Sequence, residues 1–177
     1  MTRVPEPGQS AARQVVQAAG FTALGVVVPV LFHMVGIGRH FLPMHLPVLA
    51  GGMLLRPGHA VVVGLVTPWL SSALTGMPPM PLPILMSIEL VALGGAASLL
   101  TAARAPVWIA CPLAVLARCA VSWLAMALLA VPLGLPSSAS AWLAIVAGAP
   151  GILLQIVAVP VLATALRASR RHGGEIA

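Results

Sequence analysis

The chain of 177 residues is 60% hydrophobic and only 7% charged, with a net charge of +6. Soluble globular domains carry roughly 25% charged residues, so this composition argues against a soluble enzyme, a nucleic-acid-binding domain and a disordered chain. Because a membrane helix needs about 20 apolar residues, the length allows about six spans with short loops, in one integral membrane domain.

The predicted elements begin with a polar head, residues 1–13, and a first apolar run over residues 15–35. A signal peptide is the competing interpretation of this run, which is longer than a usual signal core. Apolar runs at 46–55 and 60–74 are short for a span, so they are either extended by flanking residues or broken helices lining a cavity. Later elements are a proline-rich break at 75–83, spans at 84–103, 106–135 and 141–166, and a tail at 167–177.

The basic residues predict the orientation of these spans. All nine are arginines. With six crossings and a cytoplasmic N-terminus, Arg39 alone falls outside and Arg118 lies within a span. The arginines on the cytoplasmic side are then Arg3, Arg13, Arg56, Arg104, Arg167, Arg170 and Arg171. The positive-inside rule therefore predicts that both termini are cytoplasmic.

Two charged residues are predicted at membrane depth, Glu89 in the fourth span and Arg118 in the fifth. Such charges are costly in lipid and are candidates for function. At about 1.5 Å of rise per residue their heights agree within several ångströms, which predicts an ion pair between neighbouring helices. The pair is either structural, fixing helix packing, or part of a ligand cavity.

The histidines His33, His40 and His45 fall near the predicted outer face, with Met34 and Met44 beside them. Histidine and methionine can ligate a metal, a haem iron or a corrinoid. No spacing here matches a defined metal motif, so we predict no metal site. The alternative is an interfacial loop whose imidazoles bond backbone or ligand oxygens.

Small residues indicate where helices approach closely. Ala19 and Ala23 in the first span form a small-x-x-x-small pair, which suits either internal packing or the docking of another membrane protein. Residues 94–97 form a similar surface in the fourth span. Cys111 and Cys119 both lie in one apolar run and are expected to pack as small apolar side chains.

The sequence carries no recognisable catalytic motif. It contains no phosphate loop, no HExxH and no GxSxG, and it has no aspartate. We therefore predict that the protein is not an enzyme, and we expect no cofactor.

The most distinctive stretch is residues 41–89, which contains LPMHLPVLAGGMLL, a turn, TPWLSSALTGMPP and then a span with an acidic residue near its start, Glu89. This ordered string resembles the substrate-binding S component of energy-coupling factor (ECF) transporters. The length, six spans and two cytoplasmic termini agree with that family. The turn RPGH and the LVALGG after Glu89 depart from its pattern and leave the substrate open.

The resemblance implies a subunit in a bacterial cell membrane that captures a vitamin or related micronutrient at the outer face. A transmembrane coupling subunit and two cytoplasmic ATP-binding subunits would then complete uptake. Ala19 and Ala23 match the family's docking face, and outer loops at 39–45 and 75–81 would cap the ligand cavity. The substrate-binding candidates are Arg39, His40, His45, Glu89, Arg118 and Trp123.

Several alternatives stay open at this point. Arg39 and Arg118 suit a ligand with a carboxylate or phosphate, which we rank first. The histidines and methionines suit a metal-tetrapyrrole ligand, which we rank second, and Trp123 and Trp142 could stack on a ring. A stand-alone secondary transporter or small channel, or a membrane-embedded enzyme or assembly factor, would need no such partners.

Overall fold

The computed structural model describes residues 11–34, 36, 43–134 and 148–173, with side chains described as far as residue 166. Six helices cover this part of the chain: α1 (Ala11–Met34), α2 (His45–Leu54), α3 (Pro57–Thr75), α4 (Leu82–Ala102), α5 (Val107–Leu129) and α6 (Ala149–Gly173). Five of them are long and apolar enough to cross a membrane, and α2 is a shorter apolar helix. The all-α prediction is confirmed for these residues.

The outer surface of the bundle is apolar. Large hydrophobic side chains stand exposed on every long helix, including Val16, Leu70, Leu99, Leu116 and Val157. A water-soluble protein rarely exposes so continuous an apolar surface, whereas lipid solvates it at no cost. Together with the five long helices, this surface identifies the chain as a multi-pass membrane protein.

The short helix α2 lies at the centre and packs against all five other helices. Eight of its 10 residues are buried. A helix that is apolar on every side is expected to be surrounded by protein. Its length, about 15 Å at 1.5 Å per residue, covers only about half of a hydrocarbon core.

The two short apolar runs therefore have different explanations. The run at 46–55 forms a short buried helix that begins inside the bundle. The run at 60–74 extends through flanking residues into α3, which has 19 residues and a length that can span. The proline-rich break is confirmed, because α3 ends before Gly76, whose φ of 71° is left-handed, and α4 starts at Leu82.

Hydrogen bonds join the start of α1, the α2–α3 turn and the last part of α4, and the described arginines of the predicted cytoplasmic set lie near these segments. The backbone N–H of Arg56 donates to Gln14 Oε1 at 3.0 Å, which joins the α2–α3 turn to the start of α1. Ser98 Oγ donates to the carbonyl of Leu55 at 2.7 Å, which joins that turn to the last part of α4. Arg13, Arg56 and Arg104 thus mark one end of the bundle. The remaining arginines of the predicted cytoplasmic set lie outside the described side chains.

Glycines allow the helices to approach to backbone contact. A Cβ at Gly64 of α3 would lie 2.5 Å from the carbonyl oxygen of Leu90 in α4. A Cβ at Gly52 of α2 would lie 2.7 Å from the carbonyl oxygen of Gly94. Close helix packing of this kind is typical of membrane bundles. The small-residue surface predicted around Gly94 therefore serves internal packing.

Candidate functional site

A buried polar cluster joins α2, α4 and α5. It consists of His45, Glu89, Arg118 and Ser122, and we call it the polar cluster. Arg118 Nη1 lies 3.4 Å from Glu89 Oε2, which confirms the predicted pair. Ser122 Oγ donates to Glu89 Oε1 at 2.6 Å. Arg118 Nη1 also lies 3.1 Å from His45 Nε2.

His45 Nε2 lies between the two charged side chains of the polar cluster, 3.1 Å from Arg118 Nη1 and 3.6 Å from Glu89 Oε2. A guanidinium group only donates and a carboxylate only accepts, so this ring nitrogen accepts from Arg118 when it is unprotonated and faces Glu89 as an N–H group when it carries the proton. The positive charge of Arg118 and the negative charge of Glu89 offset each other. The polar cluster therefore pairs a cation with an anion and places an imidazole beside both.

The fold explains how these four residues meet. Because α2 is only 10 residues long, its first residue, His45, lies deep in the bundle, not at a membrane surface. Arg118 and Ser122 are one helical turn apart and lie on the buried ridge of α5. Glu89 lies on α4, which packs against both α2 and α5. Short helix length and helical periodicity together produce the polar cluster.

The members of the polar cluster differ in accessibility. The side chain of Glu89 is 18% exposed, against 4% for Arg118 and 3% for His45. Arg118 Nη2 also donates to Cys119 Sγ at 3.5 Å, so both terminal nitrogens of the guanidinium are engaged within the protein. The carboxylate is thus the most accessible charged group of the polar cluster.

The other predicted site residues do not join the polar cluster. Trp123 is 47% exposed on α5, one residue beyond Ser122 and turned away from the buried ridge. His33 is exposed in the last turn of α1. Arg39, His40 and Trp142 lie outside the described residues, so their predicted roles stay predictions.

Ser122 and Gln155 are among the buried polar residues that were not identified from the sequence. Ser122 follows Arg118 by one helical turn, and that spacing was the available signal. Gln155 of α6 is fully buried, and the Cys111 thiol donates to its backbone carbonyl at 3.5 Å. Within the described part of the chain, its side-chain amide has no hydrogen-bond partner. In the sequence, Gln155 could have been recognised as a single amide side chain within an apolar run.

An open apolar groove lies between α1 and α3, with a volume of about 530 Å³. Ala19 and Ala23 line it from α1, and both are exposed. Its other lining residues include Val15, Thr22, Gly58, His59, Val62, Val66 and Leu70. We call it the α1–α3 groove.

The two faces of α1 differ in their packing. Gly25 contacts α3 so closely that a Cβ there would lie 2.5 Å from the Thr67 methyl group. Ala19 and Ala23, by contrast, are exposed and line the open groove. Internal packing within the described chain therefore does not account for this small-x-x-x-small pair.

The site thus combines two parts, a polar cluster with one accessible carboxylate and an apolar groove at α1. Gln14 and Arg56, which join at the arginine-bearing end, are close in sequence to the groove residues Val15 and Gly58. The groove therefore extends to that end of the bundle, whereas the polar cluster forms at the buried start of α2. Comparison of the chain with known protein families, curated proteins and solved structures found no match.

Proposed function

We propose that the chain is the substrate-binding S component of an ECF-type importer in a bacterial cell membrane. It captures a vitamin or related micronutrient and passes it inward with a coupling subunit and two ATP-binding subunits. The observation that carries the proposal is the α1–α3 groove. A stand-alone transporter has no need of an open small-residue face, whereas a subunit that docks a membrane partner does.

The polar cluster supports the substrate-binding half of the proposal. Buried charged groups at membrane depth are expensive, and where they have partial access they face a polar space, not lipid. Glu89 meets that description, with Arg118, His45 and Ser122 holding its carboxylate in one orientation. The polar cluster would form the floor of the ligand site. The energy for uptake would come from ATP hydrolysis by the partners.

The proposal includes an orientation, with both termini in the cytoplasm. Arg13, Arg56 and Arg104 mark one end of the bundle, and the positive-inside rule assigns such an end to the cytoplasm. Reporter fusions at residue 1 and residue 177 should both give a cytoplasmic signal. An external signal at either terminus would contradict the six-crossing arrangement.

The docking half is tested by adding bulk to the groove. Ala19→Leu and Ala23→Leu should reduce uptake and co-purification of the ATP-binding subunits by about tenfold or more, because overpacking a close interface costs about 1–3 kcal/mol. Ligand binding by the isolated protein should be unchanged, since the polar cluster does not contact the groove. The measurements are uptake in cells that contain all subunits and affinity purification from their membranes.

Ala120→Leu is the matched control. Ala120 is also an exposed alanine, but it lies on α5, outside the α1–α3 groove, so the same added bulk should leave uptake unchanged. Uptake by the purified chain alone in proteoliposomes, without ATP-binding subunits, would instead identify a stand-alone transporter. Simultaneous loss of binding and uptake in the Ala19 and Ala23 variants would point to internal packing.

A further inference from the structure

The geometry of the polar cluster indicates which charge the ligand carries. This inference rests on the proposed function, because it concerns the same site. Arg118 is the residue that first suggests an anionic ligand. It is almost fully buried, however, and both of its terminal nitrogens are occupied by His45, Glu89 and Cys119. Its Nε has no hydrogen-bond partner among the described residues, but that atom is buried as well. An anion could therefore reach the guanidinium of Arg118 only if the packing around it moved or if Glu89 were displaced.

Glu89 is in the opposite situation. Its carboxylate is the most accessible charged group in the polar cluster. Ser122 occupies Oε1 at 2.6 Å and Arg118 approaches Oε2 at 3.4 Å. A carboxylate has about four lone-pair sites, so each oxygen keeps room for a further donor. It accepts hydrogen bonds and donates none, and it repels a second anion.

From this geometry we propose that Glu89 binds a ligand group that carries a cationic nitrogen, such as an ammonium, amidinium or protonated heterocycle. Arg118 and Ser122 act as positioning residues that hold the carboxylate in one orientation, and His45 contacts Arg118 beside them. A cation placed there forms a second charge-assisted contact on the carboxylate, in surroundings where water competes poorly. The ligand class is thus an organic cation, which reverses the ranking that Arg118 alone suggests.

A matched pair of probes tests the charge. Benzylammonium and benzoate have the same ring and nearly the same size, with opposite charges. Each is added at millimolar concentration to the purified protein in lipid nanodiscs at pH 7, and binding is followed by ligand-detected NMR and by the unfolding temperature. All samples contain the same potassium chloride concentration, so inorganic cations are held constant. Benzylammonium should bind more tightly than benzoate by roughly ten- to a hundredfold.

Two variants assign the effect to Glu89. Glu89→Gln keeps the shape and removes the charge, so benzylammonium binding should fall roughly ten- to a hundredfold. If that variant does not fold, Glu89→Gln combined with Arg118→Met removes both charges, and it should also lose benzylammonium binding. Ala120→Leu, on the exposed side of α5, should bind like the original protein.

Three results would overturn the inference. They are benzoate binding at least as tightly as benzylammonium, neither probe binding, and benzylammonium binding equally to the charge-free double variant. The proposed function has its own test, because co-purification and uptake respond to Ala19 and Ala23. Charge selectivity without partner docking would leave a cation-binding membrane protein, and docking without charge selectivity would leave an importer of another substrate class.

Discussion

Glu89→Gln should destabilise the protein by about 3–5 kcal/mol, because it leaves the buried guanidinium of Arg118 without a counter-charge. The side chain of Arg118 is only 4% exposed, and a guanidinium group keeps its charge in proteins, so burial leaves that charge in place. Arg118→Met should cost less. The carboxyl left behind is partly accessible, keeps its bond from Ser122, and can take up a proton.

The double variant separates the ion pair from simple loss of packing. Combining Glu89→Gln with Arg118→Met removes both charges while keeping similar side-chain volumes, so most of the lost stability should return. The measurement is the free energy of unfolding of the four proteins in one detergent. A double variant as unstable as Glu89→Gln alone would show that the pair does not explain the loss.

Gly64→Ala should also be strongly destabilising, by about 1–3 kcal/mol or more, since the added methyl group would lie 2.5 Å from a backbone oxygen in α4. A backbone atom cannot move aside as a flexible side chain can, so α3 and α4 would have to separate. The same helices carry Glu89 and one wall of the α1–α3 groove. The free energy of unfolding and the fraction of monodisperse protein after purification measure the effect.

Gly20→Ala is the control for this substitution. Gly20 is also inside a helix, but a Cβ there would meet no atom within 4 Å. Replacing a helical glycine by alanine at an open position should be neutral or stabilising by about 0.5–1 kcal/mol. Equal losses at Gly64 and Gly20 would contradict the assignment of close packing to the α3–α4 contact.

The ion pair and the close helix packing differ in how far the sequence predicts them. The Glu89–Arg118 pair followed from the sequence because helix rise converts residue number into height in the membrane. Two opposite charges at the same depth in lipid are stabilised when they form a pair. The role of the apolar runs as helices, and the break after Thr75, followed from composition and from prolines. The helices and the break do not depend on which face of a helix meets which neighbour, and for the ion pair the sequence supplied the height of the two charges and their opposite signs.

The sequence by itself therefore determined that the chain is a helical membrane protein with one intramembrane ion pair. Only the tertiary structure decided that α2 is short and central, that His45 and Ser122 complete the polar cluster, and that Trp123 lies outside it. It also separated Gly25 and Gly94, which pack internally, from Ala19 and Ala23, which line an open groove. The physical reason is that lipid and protein interior are both apolar, so hydrophobic periodicity does not distinguish the face a membrane helix turns to its neighbours.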